Sequence, residues 1–261
     1  MVVRKRFGQH FLKDVRVVRR IVDAIAPADG ERIVEIGPGR GALTWPLLER
    51  AGKLEVIEID RDLAAALRGD ARGTGRFTVH QGDALRMDFT ALRGDGPPLR
   101  MVGNLPYNIS TPLLFHLLEH RAAIADMHFM LQKEVVDRII APPGGKEYGR
   151  LTVMLSVLAT AERLFEVGPG AFSPPPKVVS AVLRVRPRAS TPAPAPGHAG
   201  LYRVVTAAFS QRRKTLRNSL HGLLDAQELT ACGIDPGWRA EVLTPAQFVL
   251  LAERVAARVV Q

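Results

Sequence analysis

The fold is decided by the stretch Arg32-Ile33-Val34-Glu35-Ile36-Gly37-Pro38-Gly39-Arg40-Gly41. Its first half, residues 32–36, is rich in β-branched side chains and predicts a short strand. Three glycines then recur as Gly-x-Gly-x-Gly, and a helical pattern follows through Leu47 and Leu48. Glycine allows a tight turn and a close approach of the backbone to a ligand. We therefore predict a strand, a ligand-binding glycine turn and a helix.

The same alternation of strand and helix recurs along the chain. Further strands are predicted at residues 54–58, 76–80, 99–103, 127–131, 163–167 and 178–185. Helices are predicted at residues 15–25, 61–67, 110–120 and 151–158, and another follows the strand at 127–131 and ends at residue 140. Strands and helices in this rhythm predict an α/β fold, with a mostly parallel sheet covered by helices on both faces.

The composition supports one large α/β domain with room for a small appendage. The chain has 261 residues, 46% of them hydrophobic, so a substantial core is expected. Its net charge of +10 favours a polyanionic partner, with nucleic acid as the first candidate. The single cysteine, Cys232, excludes an internal disulfide and a cysteine-ligated zinc site, and no metal site is predicted. Without a signal peptide or an apolar run long enough for a membrane span, we expect a soluble, cytoplasmic protein.

A change of composition divides the chain. Residues 187–200 are rich in Pro, Ala and Ser, which is typical of a linker, whereas residues 201–261 have helical periodicity. The predicted organisation is a domain at residues 1–188 with a basic N-terminal tail, a linker at residues 189–200 and a small all-helical domain at residues 201–261.

Four predicted strands end in residues suited to holding a nucleoside. Gly37 and Gly39 follow the first strand, Glu58 (or else Asp60) the second, Asp83 the third and Asn104 the fourth. A carboxylate about twenty residues beyond the glycine turn suits ribose hydroxyls, and Asp83 could meet an adenine amine. The alternatives are a solvated strand end for Glu58 and an Asx-turn or helix cap for Asp83. Because parallel strands end at one rim of a sheet, these candidates should lie together.

The tetrapeptide Asn104-Leu105-Pro106-Tyr107 suits methylation of the exocyclic amine of a base. Such an amine is a poor nucleophile because its lone pair is delocalised into the ring. The Asn104 oxygen and the backbone carbonyl of Leu105 or Pro106 could hold its two N–H bonds. Pro106 stiffens the turn, and Tyr107 offers a flat face to an extruded base. The alternative is an ordinary Asn-Pro-Tyr loop, but an adenosyl cofactor beside this tetrapeptide indicates methyl transfer from S-adenosyl-L-methionine.

Together these motifs resemble the small-subunit ribosomal RNA adenine N6,N6-dimethyltransferase family of the KsgA/RsmA type. The matching motifs lie at residues 7–12, 35–41, 58–61, 82–84, 104–110, 131–135, 172–178 and 209–217. The resemblance implies a Rossmann-like methyltransferase domain at residues 1–188 and a helical RNA-binding domain at residues 201–261.

The resemblance also implies roles for individual residues. The cofactor would contact His10, Leu12, Gly37, Glu58, Asp83 and Asn104, with Gly39 of the same turn as a further candidate. Many members carry Asn where this chain has His10, although His can also donate a hydrogen bond. The alternative for His10 is a tail residue on the sheet rim. The target adenine would lie between Tyr107 and Phe172. The alternative for Phe172 is an apolar plug for the rim of the sheet.

The reaction implied by the resemblance converts two adjacent adenosines near the 3′ end of 16S rRNA to N6,N6-dimethyladenosine. The expected partner is 16S rRNA within the immature small ribosomal subunit, and the enzyme is expected to be a monomer. Two rival functions are a 23S rRNA adenine-N6 methyltransferase that confers antibiotic resistance and a non-catalytic RNA-binding assembly factor. Residues 211–217 and Leu105 favour the small subunit, since the 23S enzymes often carry Ile at the position of Leu105.

Basic side chains form a candidate RNA-binding segment in the C-terminal region. Its members are Arg212, Arg213, Lys214 and Arg217. We predict that they open a helix and that Arg213 and Arg217 share one face of it. Phosphate binding is the favoured interpretation, with a solvated face as the alternative. The tail Arg4-Lys5-Arg6 is similar and could close over the cofactor or RNA.

Overall fold

The structure, a computed structural model, describes residues 10–188 and 198–259. Its strands are β1 (Phe11–Leu12), β2 (Arg32–Ile36), β3 (Leu54–Glu58), β4 (Phe77–Gln81), β5 (Leu99–Asn104), β6 (Ile124–Gln132), β7 (Ala159–Val167), β8 (Phe172–Ser173) and β9 (Ser180–Pro187). Its α-helices are α1 (Val15–Ile25), α2 (Thr44–Ala51), α3 (Arg61–Arg68), α4 (Phe89–Arg93), α5 (Ser110–Glu119), α6 (Lys133–Ile139), α7 (Arg150–Leu158), α8 (His198–Ala208), α9 (Leu216–Ser219), α10 (Ala226–Ala231) and α11 (Pro245–Val259). Among the described residues, none of these helices has the length and apolar character that a membrane crossing requires.

The larger sheet has the strand order β4-β3-β2-β5-β6-β9-β7. The strands from β4 to β6 are parallel to their neighbours, and β9 is antiparallel to β6. From β2 the chain moves outward through β3 to β4 and then returns to β5, on the other side of β2. The carboxyl ends of β2 and β5 therefore form the topological switch point, where open α/β sheets bind their ligands. The predicted, mostly parallel sheet is confirmed.

A glycine lets β2 and β5 approach closely at this switch point. A Cβ atom on Gly103 would lie 2.5 Å from the carbonyl oxygen of Ile36. The apolar residues of both strands are buried, with Val34 and Met101 fully so. Central parallel strands covered on both faces have this continuous apolar character.

Helix α1 illustrates how local sequence sets an element's limits. The Asp14 carboxylate caps its start by accepting hydrogen bonds from the N–H groups of Arg16 and Val17. Its buried face consists of Val18, Ile21, Val22 and Ile25, at the spacing that predicts an amphipathic helix. The helix ends at Ile25, and the capping residue Ala26 has a left-handed φ of 48°. The predicted helix is confirmed.

The structure adds a small antiparallel sheet that we did not predict. Phe11 pairs with Ser173, and Leu12 with Phe172. The N–H groups of Lys13 and Asp14 extend this contact by donating to the carbonyl of Ala171. The segment around His10 is thereby brought to the Pro-rich turn more than 160 residues later.

The predicted helix over the basic segment is wrong. Residues 211–214 form a turn, and α9 contains only Leu216–Ser219. The N–H groups of Leu216 and Arg217 donate to the carbonyls of Trp238 and Pro236, at 2.7 and 3.0 Å, rather than to carbonyls four residues earlier. Arg213 and Arg217 therefore do not share a helical face.

The chain divides into two compact units. Within the described residues, the first contains those up to Val136 together with Ala161–Pro187, and the second contains Asp137–Thr160 and those from Arg188 onward. This differs from the predicted domain at residues 1–188, because α7 packs with α8 and α11. Most of the predicted linker lies outside the described residues, as does the tail Arg4-Lys5-Arg6, whereas residues 198–200 already belong to α8.

Candidate active site at the carboxyl rim of the sheet

A cavity of about 510 Å³ lies in the first unit at the carboxyl ends of β2, β3 and β5. All the residues predicted to contact the cofactor line it, as do the four residues of the Asn104–Tyr107 tetrapeptide: His10, Leu12, Gly37, Gly39, Glu58, Asp83, Asn104, Leu105, Pro106 and Tyr107. Residues far apart in the sequence thus meet at one rim. The volume is in the range of small-molecule and cofactor sites.

The glycine turn forms one wall of the cavity. Gly37 and Gly39 have φ angles of 67° and 57°, which favour glycine. A Cβ atom on Gly39 would lie 3.1 Å from the ring of Phe11. The turn is therefore held between β2 and the segment that carries β1, with its backbone accessible to the cavity.

Glu58 is buried at the end of β3 and is tied to this turn. Its carboxylate accepts hydrogen bonds from the N–H groups of Gly39, at 3.2 Å, and Asp60, at 2.9 Å. Burial raises the pKa of the Glu58 carboxyl above its usual value. Asp60 instead caps α3 through its own carboxylate. Of the two alternatives, Glu58 is the one that lines the cavity.

Asp83 lines the cavity and also forms the helix cap that we considered as its alternative role. Its carboxylate accepts a hydrogen bond from the N–H of Leu85 at 3.0 Å and caps a short 3₁₀ helix, Ala84–Arg86. The same residue lines the cavity after β4. The cap orients the carboxylate without removing it from the cavity wall.

A backbone contact sets the orientation of the Asn104 amide. Its Nδ2 donates to the carbonyl oxygen of His10 at 3.0 Å. A carbonyl can only accept, so the nitrogen end of the amide must face His10. Oδ1 is then the end that remains to accept a hydrogen bond. In the same turn the Pro106 carbonyl accepts the N–H of Ile109 at 3.2 Å.

Tyr107 is oriented by a buried hydroxyl. Its phenol oxygen lies 2.8 Å from Oγ of Ser180, a residue with no exposed surface at the start of β9. The His10 ring is 5.8 Å from the Tyr107 ring at a tilt of 31°. His10 itself donates from Nδ1 to the carbonyl of Pro174 at 2.8 Å, since that carbonyl cannot donate. These contacts join three distant segments around one aromatic face.

The structure differs from the prediction for Phe172. Its side chain is 1% exposed and belongs to the hydrophobic core with Leu12 and Val18. From this segment, Ser173 lines the cavity and Phe172 does not. The pairing of β8 with β1 turns the ring inward, which agrees with the alternative of an apolar plug. A stacking role for Phe172 stays a prediction.

Glu35 is a cavity residue to which we assigned no role from the sequence. It is 2% exposed, and its carboxyl accepts a hydrogen bond from the Thr44 hydroxyl at 2.6 Å. Burial raises the pKa of Glu35 to about 8, so the carboxyl is mostly neutral at pH 7. An acidic residue inside an apolar strand was the signal that could have singled it out.

The basic segment lies in the second unit. Arg212, Arg213, Lys214 and Arg217 are all exposed. Arg212 donates from its guanidinium to the carbonyl of Lys146 at 2.5 Å, which commits part of that side chain to the fold. Arg213, Lys214 and Arg217 are therefore the stronger candidates for binding phosphate.

Comparisons with known proteins cover nearly the whole chain. The family model described as "Ribosomal RNA adenine dimethylase" matches residues 2–257. A "Ribosomal RNA small subunit methyltransferase A" from Aromatoleum aromaticum is 56% identical over 98% of this chain and 95% of its own length. The protein of the same name from Pseudomonas aeruginosa is 55% identical over 97% of this chain and 94% of its own length.

Solved structures show the same fold. A dimethyladenosine transferase from Plasmodium falciparum has a TM-score of 0.78 at 25% identity and covers 95% of this chain and 98% of its own. The 23S rRNA methyltransferase ErmE has a TM-score of 0.71 at 28% identity, with 94% and 99% coverage. The predicted Rossmann-like methyltransferase fold with a helical C-terminal region is confirmed.

Proposed function

Because this chain belongs to the ribosomal RNA adenine dimethylase family, we propose that it transfers methyl groups from S-adenosyl-L-methionine to N6 of two adjacent adenosines near the 3′ end of 16S rRNA. The observation that carries the proposal is the Asn104 amide, held by His10 in the same cavity as Gly37, Glu58 and Asp83. The proposed substrate is 16S rRNA within the immature small subunit, and the proposed active form is a cytoplasmic monomer.

The cavity fits a nucleoside cofactor. The turn at Gly37 and Gly39 presents backbone, the buried carboxylate of Glu58 supplies acceptors for ribose hydroxyls, and Asp83 supplies one for an adenine amine. Leu12 and His10 would complete the wall through the segment that carries β1. When bound, S-adenosyl-L-methionine supplies a methyl group that is already activated on a sulfonium.

Asn104 and Leu105 would hold the target amine. The orientation of the Asn104 amide makes Oδ1 the acceptor for one N–H bond. Pro106 uses its carbonyl within the turn, which favours the Leu105 carbonyl as the second acceptor. Two acceptors on one amine draw its lone pair out of conjugation and direct it at the methyl group, and they stabilise the positive charge that develops on nitrogen.

A strong general base is not needed for this chemistry. The amine becomes cationic as it attacks, and its proton can then leave to water. Glu35, the buried carboxyl in the cavity, is mostly protonated at pH 7 because its pKa is about 8. It therefore contributes shape and a hydrogen bond with Thr44 rather than a negative charge next to the reacting groups.

Tyr107 would provide the face on which the extruded adenine stacks. Its ring is held by Ser180 and lies beside His10, so the plane of the face is defined before RNA binds. Stacking on an aromatic ring is how enzymes that modify bases commonly hold an extruded base. The second partner predicted for the base, Phe172, would have to leave the core to take part.

The test is methylation of unmethylated small-subunit particles with labelled cofactor. We expect label in 16S rRNA and dimethyladenosine in its digest. Asn104→Ala should abolish transfer, because one acceptor for the amine is lost, while calorimetry shows a folded protein. Glu49→Gln on the exposed part of α2 serves as a control that should remain active.

The same experiment separates the rival functions. Label in 23S rather than 16S rRNA would point to the large-subunit activity. Failure of the wild-type protein to bind the cofactor in calorimetry would point to a non-catalytic assembly factor. The 55–56% identity to proteins named small-subunit methyltransferases supports 16S rRNA.

A further inference from the structure

The second compact unit carries an exposed indole. Trp238 keeps 42% of its surface accessible, although a large aromatic ring gains much from burial. The cavity described above consists of residues of the first unit, so the catalytic site gives no reason for this exposure.

Backbone hydrogen bonds hold Trp238 beside the basic segment. Its carbonyl accepts the N–H of Leu216 at 2.7 Å, and the carbonyl of Pro236 accepts the N–H of Arg217 at 3.0 Å. The turn has its own supports: the Asp235 carboxylate accepts the N–H of Gly237 at 2.7 Å, and the Asp235 carbonyl accepts the N–H of Trp238 at 3.0 Å. The indole is therefore carried by an ordered turn that is attached to α9.

The side chains along these paired segments are cationic. Arg213, Lys214 and Arg217 are exposed on one segment, and Arg239 is exposed next to Trp238 on the other. Of the nearby acids, Asp235 uses its carboxylate within its own turn, and Glu241 lies 3.9 Å from the Arg212 guanidinium. A flat aromatic face among cations is the arrangement that binds single-stranded nucleic acid, since the cations hold phosphates and the ring stacks on a base. The cluster of positive charge favours nucleic acid over a protein partner, because phosphates pair with these cations.

We propose that Trp238 stacks on an unpaired base of the small-subunit RNA while Arg213, Lys214 and Arg217 hold neighbouring phosphates. This inference rests on the proposed function and adds a contact by which the second unit recognises RNA structure rather than charge alone. An unpaired base is required, because a base inside a duplex has no free face for the ring.

The test compares five variants in binding to unmethylated small-subunit particles at several salt concentrations. Trp238→Ala should weaken binding about 5- to 150-fold, the range found for the loss of one stacked base. Trp238→Phe should stay within about threefold of wild type, whereas Trp238→Leu, which is apolar but has no π face, should lose nearly as much as Trp238→Ala. Tyr202→Ala removes another exposed aromatic side chain of the same unit and should bind normally.

The salt dependence separates stacking from charge. Arg217→Ala should reduce the slope of log affinity against log salt by about one phosphate contact, whereas the Trp238 variants should leave the slope unchanged. Melting temperatures identify any variant that fails to fold, and the comparison of Phe with Leu at position 238 remains informative if Ala does not fold.

Three results would overturn the inference. Equal binding by Trp238→Phe and Trp238→Leu would exclude stacking. A loss seen with particles but absent with protein-free 16S rRNA would assign Trp238 to a protein surface. Wild-type affinity of Trp238→Ala would remove the contact altogether. Cofactor binding and label transfer by the wild-type protein test the proposed function separately, so its failure cannot be mistaken for failure of this contact.

Discussion

At the scale of single residues, we expect Ser180 to position Tyr107 for the proposed stacking. The 2.8 Å contact between the two hydroxyl groups restrains the phenol ring. Ser180→Ala should lower the rate of single-turnover methylation about fivefold, the equivalent of roughly 1 kcal/mol for a lost hydrogen bond. Tyr107→Phe should have a similar effect, and the double variant should be no slower than either single one. If the rate losses of the two single variants add up in the double variant, the two residues act separately. A fall in melting temperature that matches the loss of rate would likewise contradict a positioning role.

Glu35 gives a pH dependence of stability. Its pKa is raised from 4.5 to about 8 in the folded protein, so the folded state holds a proton that the unfolded chain releases between these values. The stability due to this proton is complete below about pH 4.5 and is lost as the pH rises through about 8, by an amount on the order of a few kcal/mol.

Glu35→Gln should flatten the curve of melting temperature against pH between about 5 and 8, because the amide keeps the Thr44 hydrogen bond and cannot ionise. Glu49→Gln, an exposed carboxyl on α2, should leave the curve as it is. A wild-type curve that is already flat over this range would show that Glu35 ionises normally.

Substitutions of Phe172 distinguish a role in the hydrophobic core from stacking on the target base. As a core residue with 1% exposure, its replacement by Ala should lower the free energy of unfolding by about 3–5 kcal/mol. Phe172→Leu should lose much less, because it keeps most of the apolar volume. If Phe172→Ala changes the free energy of unfolding little while methylation is lost, the ring stacks on the base rather than stabilising the core.

Among elements, we expect the cavity to depend on the contact between β2 and β5. Gly103→Ala would bring a Cβ atom to 2.5 Å from the Ile36 carbonyl and force the two strands apart. We expect lower stability and at least tenfold weaker cofactor binding in calorimetry, because the candidate site straddles these strands. Gly168→Ala is a matched control, since a Cβ atom there has no heavy atom within 4 Å and φ is −71°. Normal cofactor binding by Gly103→Ala would show that the rim tolerates the displacement.

Elements were predictable where local sequence decides them. The limits of β2 and β3 agree with the structure because short apolar runs are bounded by Gly and charged residues. The pairing of Phe11 with Ser173 was not predictable, since two-residue strands have no periodicity and their partner is distant in sequence. The same pairing buries Phe172. The helix predicted over the basic segment fails for a similar reason, because the N–H groups of Leu216 and Arg217 donate to carbonyls of the distant 236–238 turn.

At the scale of the whole molecule, the charge should make RNA binding depend on salt more strongly than cofactor binding does. The net charge of +10 favours binding to RNA phosphates, and each contact releases counterions. The KM for small-subunit particles should rise steeply between about 50 and 200 mM salt, whereas the Kd for the cofactor should change little. Steady-state kinetics and calorimetry across this range provide the measurement, and equal salt dependence of both constants would contradict it.

The contact between His10 and Pro174 spans 164 positions of the sequence. A nascent polypeptide must therefore extend past Pro174, and emerge from the exit tunnel, before the wall formed by His10 and Leu12 can join the rest of the rim. We therefore expect cofactor binding to come late in biosynthesis, since a chain truncated before β8 would contain all the parallel strands, β2 to β6, yet lack the segment that pairs with Phe11 and Leu12.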